Sequence, residues 1–228
     1  NMLNMDAISV LSSAIQKNLS ENKLNSNYNI KNMLNQFDKK MKFSRNIISF
    51  NDLKDWKIKK NSVFDIKKKF FSIFFIDVFA NLREVKKWEQ PIISDHSSSL
   101  NGFLVSKINN TMHYLLKIII EPGFDKSKYT STIFEKNFSL NSRKNIKFLS
   151  FFNKKNCSMD IINSDEGGRF LKNQTRNMIC EIKDHNKINL YDNFVWASHN
   201  QVVELINQNK MTIEARNLFA SCNVDKIK

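Results

Sequence analysis

Glycine and proline are nearly missing from this chain, with four Gly and two Pro in 228 residues, against ordinary shares of about 7% and 5%. Such scarcity excludes flexible Gly-rich linkers and collagen-like repeats, and it makes each survivor a marker for a place where the backbone is under demand. Cysteine is scarce too. Cys157, Cys180 and Cys222 are odd in number, far apart and in no CxxC pair, which predicts a reducing, cytoplasmic setting with neither structural zinc nor a disulfide framework. No apolar run reaches the roughly 18 residues of a membrane span. The longest, Phe70 to Ala80, holds Asp77 within it and reads as a buried strand. No secretory signal is expected at the start of the chain.

Arginine is the next shortage. The net charge of +14 comes from 36 basic residues, of which only six are Arg. Base-edge readout and bidentate phosphate contacts favour the guanidinium fork, and the lysines are dispersed rather than clustered. No RRM, KH or zinc pattern accompanies them, so nucleic acid is not an expected partner. The charge reads as a drift toward Lys, Asn and Ile, with 32 Asn in the chain. A Lys-lined cleft for an anionic substrate is compatible with it. A hydrophobic content of 41% with 19 Phe is ample for a core.

The periodicity predicts two helices near the start. Ile8, Leu11, Ile15 and Leu19 share a face over residues 6 to 20 behind Asp6 as N-cap, and Met33, Leu34, Phe37 and Met41 share another over 30 to 43. Helical spacing of apolar residues is the signal in both. A polar stretch separates them, so residues 1–45 read as an appended helical arm and 46–228 as the main domain. From Trp56 the pattern changes to strands: 62 to 66, 70 to 80, 84 to 93, 102 to 108 and 112 to 121. Short polar turns such as Asn109-Asn110 join several of them. Residues 124 to 156 carry no firm pattern and read as a surface excursion. A strand over 176 to 182 and two closing helices, at 197 to 207 and from Thr212 onward, complete an α+β domain with a mixed, mostly antiparallel sheet.

The rare residues gather in five short places. Trp88, Gln90 and Pro91 lie in KKWEQPII, Gly102 in NGFLVS, Pro122 and Gly123 after the strand that ends at Glu121, Gly167, Gly168 and Arg169 in SDEGGRF, and Trp196 and Arg216 in the closing segments. Each has a plain structural reading as well as a functional one. Trp196 suits a core anchor, His113 a structural histidine, and Arg216 an ordinary salt bridge.

Taken together, KKWEQPII, HYLLKIIIEPG, SDEGGRF with TRNMICEI, NFVWASHNQVVELI and EARNLFA resemble the nucleotide-sugar 2,3-dehydratase family from about Trp56 to Ala220. The resemblance implies a Nudix-like fold flanked by helices, a dTDP-4-keto-6-deoxyhexose substrate, and no need of metal, pyridoxal phosphate or redox cofactor. Members of the family carry two copies of this unit, so a single copy implies a homodimer. The chain departs from the family after Glu121-Pro122-Gly123, where it reads TSTIFEKNFS, and after WEQPII, where it reads SDHSSSLNG.

The implied chemistry starts from the ketone at carbon 4, which acidifies the hydrogen on carbon 3. A base removes that proton, an acid assists loss of the carbon 2 hydroxyl as water, and the resulting enol becomes a 3,4-diketo-2,6-dideoxy sugar. Glu121, Glu166 and His113 are the expected acid/base residues. Arg169, Arg176 and Arg216 would serve the diphosphate or enolate, Trp88 and Trp196 the nucleobase, and Gln90, Asn177, Gly167 and Gly168 the remaining substrate contacts. Glu121 closes an apolar strand, where burial raises a carboxyl pKa. The two departures leave a second reading open, a silent nucleotide-sugar-binding subunit; a basic nucleic-acid module is the third.

Overall fold

In a computed structural model the described residues are 23–67, 71–136, 138 and 146–222. The helix expected over 6 to 20 lies outside them. The helix expected next is α1, Asn27–Lys40, opened by the Ser26 hydroxyl, which accepts from the Asn29 amide.

Eleven strands form two sheets among the described residues. The first is antiparallel throughout, in the order β1 (Trp56–Lys59), β2 (Ser62–Asp65), β3 (Phe71–Phe79) and β4 (Lys87–Asp95). The second has the path β11 (Phe194–Ser198), β6 (Thr111–Ile119), β5 (Ser99–Ile108), β10 (Gln174–Glu181) and β9 (Cys157–Ser164); β7 (Lys128–Thr130) pairs with β6 and β8 (Ile133–Glu135) with β5. Two helices follow β11: α2, His199–Asn207, and α3, Ile213–Ala220. The α+β class and the mixed sheet are as expected. The meander is interrupted at its centre, because β10 runs parallel to β5.

The second sheet is covered on both faces. Ile30 and Leu34 of α1, Val202 and Leu205 of α2, and Ala215 and Leu218 of α3 pack with Phe103, Tyr114, Leu116 and Ile179 on one face. On the other, Trp196, Leu104, Leu115 and Met178 meet Phe148, Phe151 and Phe152 from the loop before β9. Burial of one such large apolar side chain contributes roughly 1.5–3 kcal/mol. The helix expected within an appended arm therefore shares its core with the main sheet. Its Ile30 carbonyl accepts from the buried Tyr129 hydroxyl at 2.7 Å.

Three expectations need correction. The segment after Glu121 does not lie wholly on the surface: Ser127 and residues 129 to 133 are all at most 2% exposed. The polar side chains from Tyr129 to Thr132 are buried because each finds a partner; Thr132 Oγ1 accepts from the Leu104 amide and donates to the Leu115 carbonyl. Cys157 and Cys180 form a disulfide, as cross-strand neighbours at the register shift where β9 meets β10. A spacing of 23 residues could not reveal that adjacency, and the pairing removes the cysteine argument for a reducing compartment. Among the described residues, no helix is long and apolar enough to cross a membrane.

The third correction concerns glycine. A Cβ on Gly102 would stand 2.2 Å from the Phe152 ring, whereas Gly123 and Gly167 face open space and Gly168 meets only the Glu166 carboxylate at 4.0 Å. None of the glycines has a positive φ, so the SDEGGRF turn does not depend on the missing Cβ atoms. Left-handed backbone occurs instead at Asn109 and Asn110, with φ of 50° and 61°, as a two-residue hairpin turn requires.

The two sheets are joined through the segment that links β9 to β10. Ile93 of β4 donates to the Arg169 carbonyl at 2.8 Å and accepts from the Leu171 amide at 2.7 Å. Beside it, Asn173 Oδ1 accepts from the Asp95 amide at 3.1 Å, and Asn173 Nδ2 donates to Asp95 Oδ2 at 2.8 Å. Asn173 is only 8% exposed, so its bonds are shielded from competing water.

In denaturant titrations, Gly102→Ala is expected to cost about 1–3 kcal/mol through overpacking against Phe152, while Gly167→Ala stays within about 0.5 kcal/mol of the parent. Asn173→Ala is expected to cost about 1–3 kcal/mol by leaving the half-buried Asp95 groups unpaired. Amide exchange at Ile93 and Leu171 should rise in that variant more than exchange in the centre of the second sheet.

Candidate active site

Strand geometry decides what reaches the cleft. Side chains alternate between faces, so Thr175 and Asn177 point one way and Arg176 the other. Through the register, Ser99 and Asn101 lie beside Thr175 and Asn177, and Asn163 lies opposite Thr175. These residues pave the floor of a cleft of about 480 Å³. Its walls are Asp95 at the end of β4, Asp165, Glu166 and Arg169 of the SDEGGRF turn, Phe134 of β8 and Lys136 just after it, and Glu214 and Asn217 of α3.

Carboxylates dominate this cleft. Burial raises the Asp95 pKa; Lys136 opposes the shift and Asp165 adds to it. Glu121 does not itself line the cleft, but it interacts with two residues that do. Its pKa is raised by burial first and then by Glu214, against the pull of Lys136. Lys136 therefore acts on two half-buried carboxyls from different strand ends. Asp165 is held by Thr175, whose hydroxyl donates at 2.7 Å, and by its own amide, which donates to the Asn173 carbonyl at 3.0 Å. Arg169 reaches Glu166 at 3.3 Å, with both side chains largely exposed. That pair adds little stability and is open to exchange with an incoming anion.

Of the residues expected from sequence, Glu166, Arg169 and Asn177 line the cleft, and Glu121 is coupled to its walls. Gln90 is attached from outside. Its Nε2 donates to the Gly168 carbonyl at 2.7 Å, and its Oε1 accepts from Trp88 Nε1 at 2.7 Å. Gln90 thus steadies the turn that carries Gly167 and Gly168, while the Trp88 ring lies under Arg83 at 5.5 Å.

Four residues fall elsewhere. Arg176 is turned by the strand alternation to the opposite face and makes a two-pronged contact with Asp160, at 2.7 Å for each bond. The Arg176 hydrogen bond lowers the Asp160 pKa. His113 is fully buried. Its Nε2 accepts from the Leu24 amide at 3.2 Å, and its Nδ1 stands 2.9 Å from the Thr111 carbonyl. An amide only donates and a carbonyl only accepts, which fixes a neutral ring protonated at Nδ1. Trp196 of β11 is 1% exposed, packed in the core on the sheet's second face, and so cannot stack on a ligand at the surface. Arg216 does not line the cleft; its Nε is buried with no hydrogen-bond partner among the described residues.

The residues missed were Asp95, Lys136, Asn101, Asn163, Asp165 and Glu214. Scarcity drew attention to Gly, Pro, Arg and Trp, whereas these are types the chain uses freely. The one available signal was the alternation around Asn177, which places Thr175 with it and Arg176 against it.

The raised Glu121 pKa has a definite consequence for stability. In the folded chain this carboxyl keeps its proton at pH values where the unfolded chain has released it, so stability is greatest below the ordinary glutamate value and falls as pH rises through the elevated one. Glu121→Gln should flatten that fall and melt at a higher temperature than the parent at neutral pH. Thermal melts across about pH 4 to 8 span the ordinary and elevated ranges and provide the measurement.

A family model described as NDP-hexose 2,3-dehydratase matches residues 27–222. The chain is 24% identical over 189 residues to a dTDP-4-dehydro-6-deoxy-alpha-D-glucopyranose 2,3-dehydratase of Saccharopolyspora spinosa, a match covering 79% of this chain and 38% of that protein. A protein of the same description from Amycolatopsis orientalis is 24% identical over 132 residues, covering 55% and 28%. The chain thus spans about two fifths or less of the length of these curated relatives. Among solved structures, it is similar to a C. elegans Ap4A hydrolase at a TM-score of 0.36 and 10% identity, covering 54% of this chain and 93% of the other. It is also similar to an ADP compounds hydrolase at 0.39 and 12% identity, covering 74% and 91%. With the model match running from the start of α1 to just beyond α3, the chain belongs to the NDP-hexose 2,3-dehydratase family.

Proposed function

We propose that this chain is a nucleotide-sugar 2,3-dehydratase unit acting on a dTDP-4-keto-6-deoxyhexose. The reading is carried by two half-buried carboxyls with pKa values raised by burial, Asp95 in the cleft wall and Glu121 coupled to that wall through Glu214 and Lys136. A base operating near neutral pH needs such a shift, since an ordinary exposed carboxylate is too weak to abstract a carbon-bound proton. One carboxylate takes the proton from carbon 3, and the electron pair moves toward the carbon 4 ketone. A protonated carboxyl then donates to the carbon 2 hydroxyl, which leaves as water as the carbon 2 to carbon 3 double bond forms. The enol at carbon 3 tautomerises to the second ketone.

The cation of Lys136 suits the developing enolate oxygen, and Arg169 at the exposed end of the cleft suits a diphosphate. Residues 46–228 are taken as the catalytic unit, with α1 packed on it through Ile30 and Leu34. A homodimer of this chain is proposed as the assembly that brings two copies of the unit together. Light scattering of the purified protein tests that assembly.

Incubation with dTDP-4-keto-6-deoxyglucose, followed by mass spectrometry, is expected to show loss of one water. Glu121→Gln should lower the rate by about 100-fold or more, and the acidic limb of the parent rate profile should lie above the ordinary glutamate range. A protein that binds the sugar nucleotide but never releases water is a silent binding subunit, and that outcome overturns the dehydratase reading.

A further inference from the structure

The nucleotide sugar proposed above has two unlike halves, a charged nucleoside diphosphate and a neutral polyol, and the cleft is not built alike along its length. Three asparagines from three adjacent strands meet on its floor. Asn101 Nδ2 donates to Asn177 Oδ1 at 3.1 Å, and Asn177 Nδ2 donates to Asn163 Oδ1 at 3.1 Å. Side-chain amides could in principle run either way round, but two main-chain carbonyls forbid the reversal. Asn101 Nδ2 also donates to the Glu214 carbonyl at 3.1 Å, and Asn177 Nδ2 to the Thr175 carbonyl at 3.3 Å. A carbonyl accepts and never donates, so both nitrogens are fixed in place.

At the buried end, the Ser131 hydroxyl lies 2.6 Å from Asn101 Oδ1. The chain of amides therefore has one direction, from the core outward. It terminates at Asn163, whose Oδ1 is used and whose Nδ2 has no acceptor among the described residues. Asn163 is exposed and lines the cleft.

The adjoining charges decide which half of the ligand suits this end. Asp95, Asp165 and Glu214 stand around the floor, and in a confined site their field opposes a diphosphate. Sugar hydroxyls suit the same groups, donating to carboxylates and accepting from an amide. Arg169, with a side chain 73% exposed, lies where a diphosphate could remain solvated. We propose that Asn163 is the specificity-determining donor of a sugar subsite, held in register by the one-way relay from Asn101 through Asn177, while the diphosphate extends toward Arg169.

Calorimetric binding of two probes, dTDP and dTDP-glucose, tests this. Asn163→Asp keeps the acceptor for Asn177 and replaces the donor with a second acceptor. It is expected to weaken dTDP-glucose by about 10-fold or more and to leave dTDP within about twofold. Asn163→Ala removes the donor without adding charge and should likewise weaken dTDP-glucose while leaving dTDP within about twofold. Both variants should retain the parent melting temperature closely, because the side chain is exposed. Equal weakening of both probes, or no change in either, overturns the sugar subsite alone. If the parent protein binds neither probe, the nucleotide-sugar reading falls and the subsite falls with it.

Discussion

The cleft exists because two sheets with different strand directions are held edge to loop by Asn173. Its side chain uses both ends of one amide on Asp95, and its carbonyl accepts from Asp165. One residue thereby fixes the end of β4, the entry to the SDEGGRF turn and the start of β10. Water would compete for each bond at an exposed position, but Asn173 and Ser99 beside it are buried. A charged partner in place of the asparagine could not both donate and accept, so the amide is the chemistry the junction demands.

Around that junction the protein divides its polar groups by strand parity. One face of β10 carries Thr175 and Asn177 into the cleft; the other carries Arg176 into its pairing with Asp160 and Met178 into the second core. The separation keeps a permanent cation away from the cleft floor, leaving Lys136 as the cation that acts on both Asp95 and Glu121. A tightly paired arginine in that position would hold the carboxyls ionised.

Much of the architecture was legible where local chemistry decides it. The Asn109-Asn110 hairpin is set by two residues tolerant of left-handed backbone, and α3 begins at Thr212, whose hydroxyl accepts from the Ala215 amide. Glu121 was readable as a buried carboxyl because an apolar strand leads into it. The segment from Ser127 to Ile133 was not readable, since its burial is made possible by bonds to Leu104, Leu115 and Asn101 that lie far away in sequence. Asn101 and Asn163 were hidden for another reason: among 32 asparagines, no single one stands out until a register aligns it. Counting rare residues found Arg169 and misplaced Arg176, because scarcity carries no information about which face of a strand a side chain occupies.

The parallel pairing of β10 with β5 makes the cleft floor a contact of long sequence separation. Asn101 and Asn177 are 76 residues apart in sequence, and closing so long a loop has an entropic cost that local hairpins avoid. The β5–β6 hairpin can form early from its two-residue turn, but it contains only one member of the amide chain. The floor of the cleft is continuous only where β10 stands between β5 and β9, so its three asparagines depend on one contact of long sequence separation as well as on the local β9–β10 pairing.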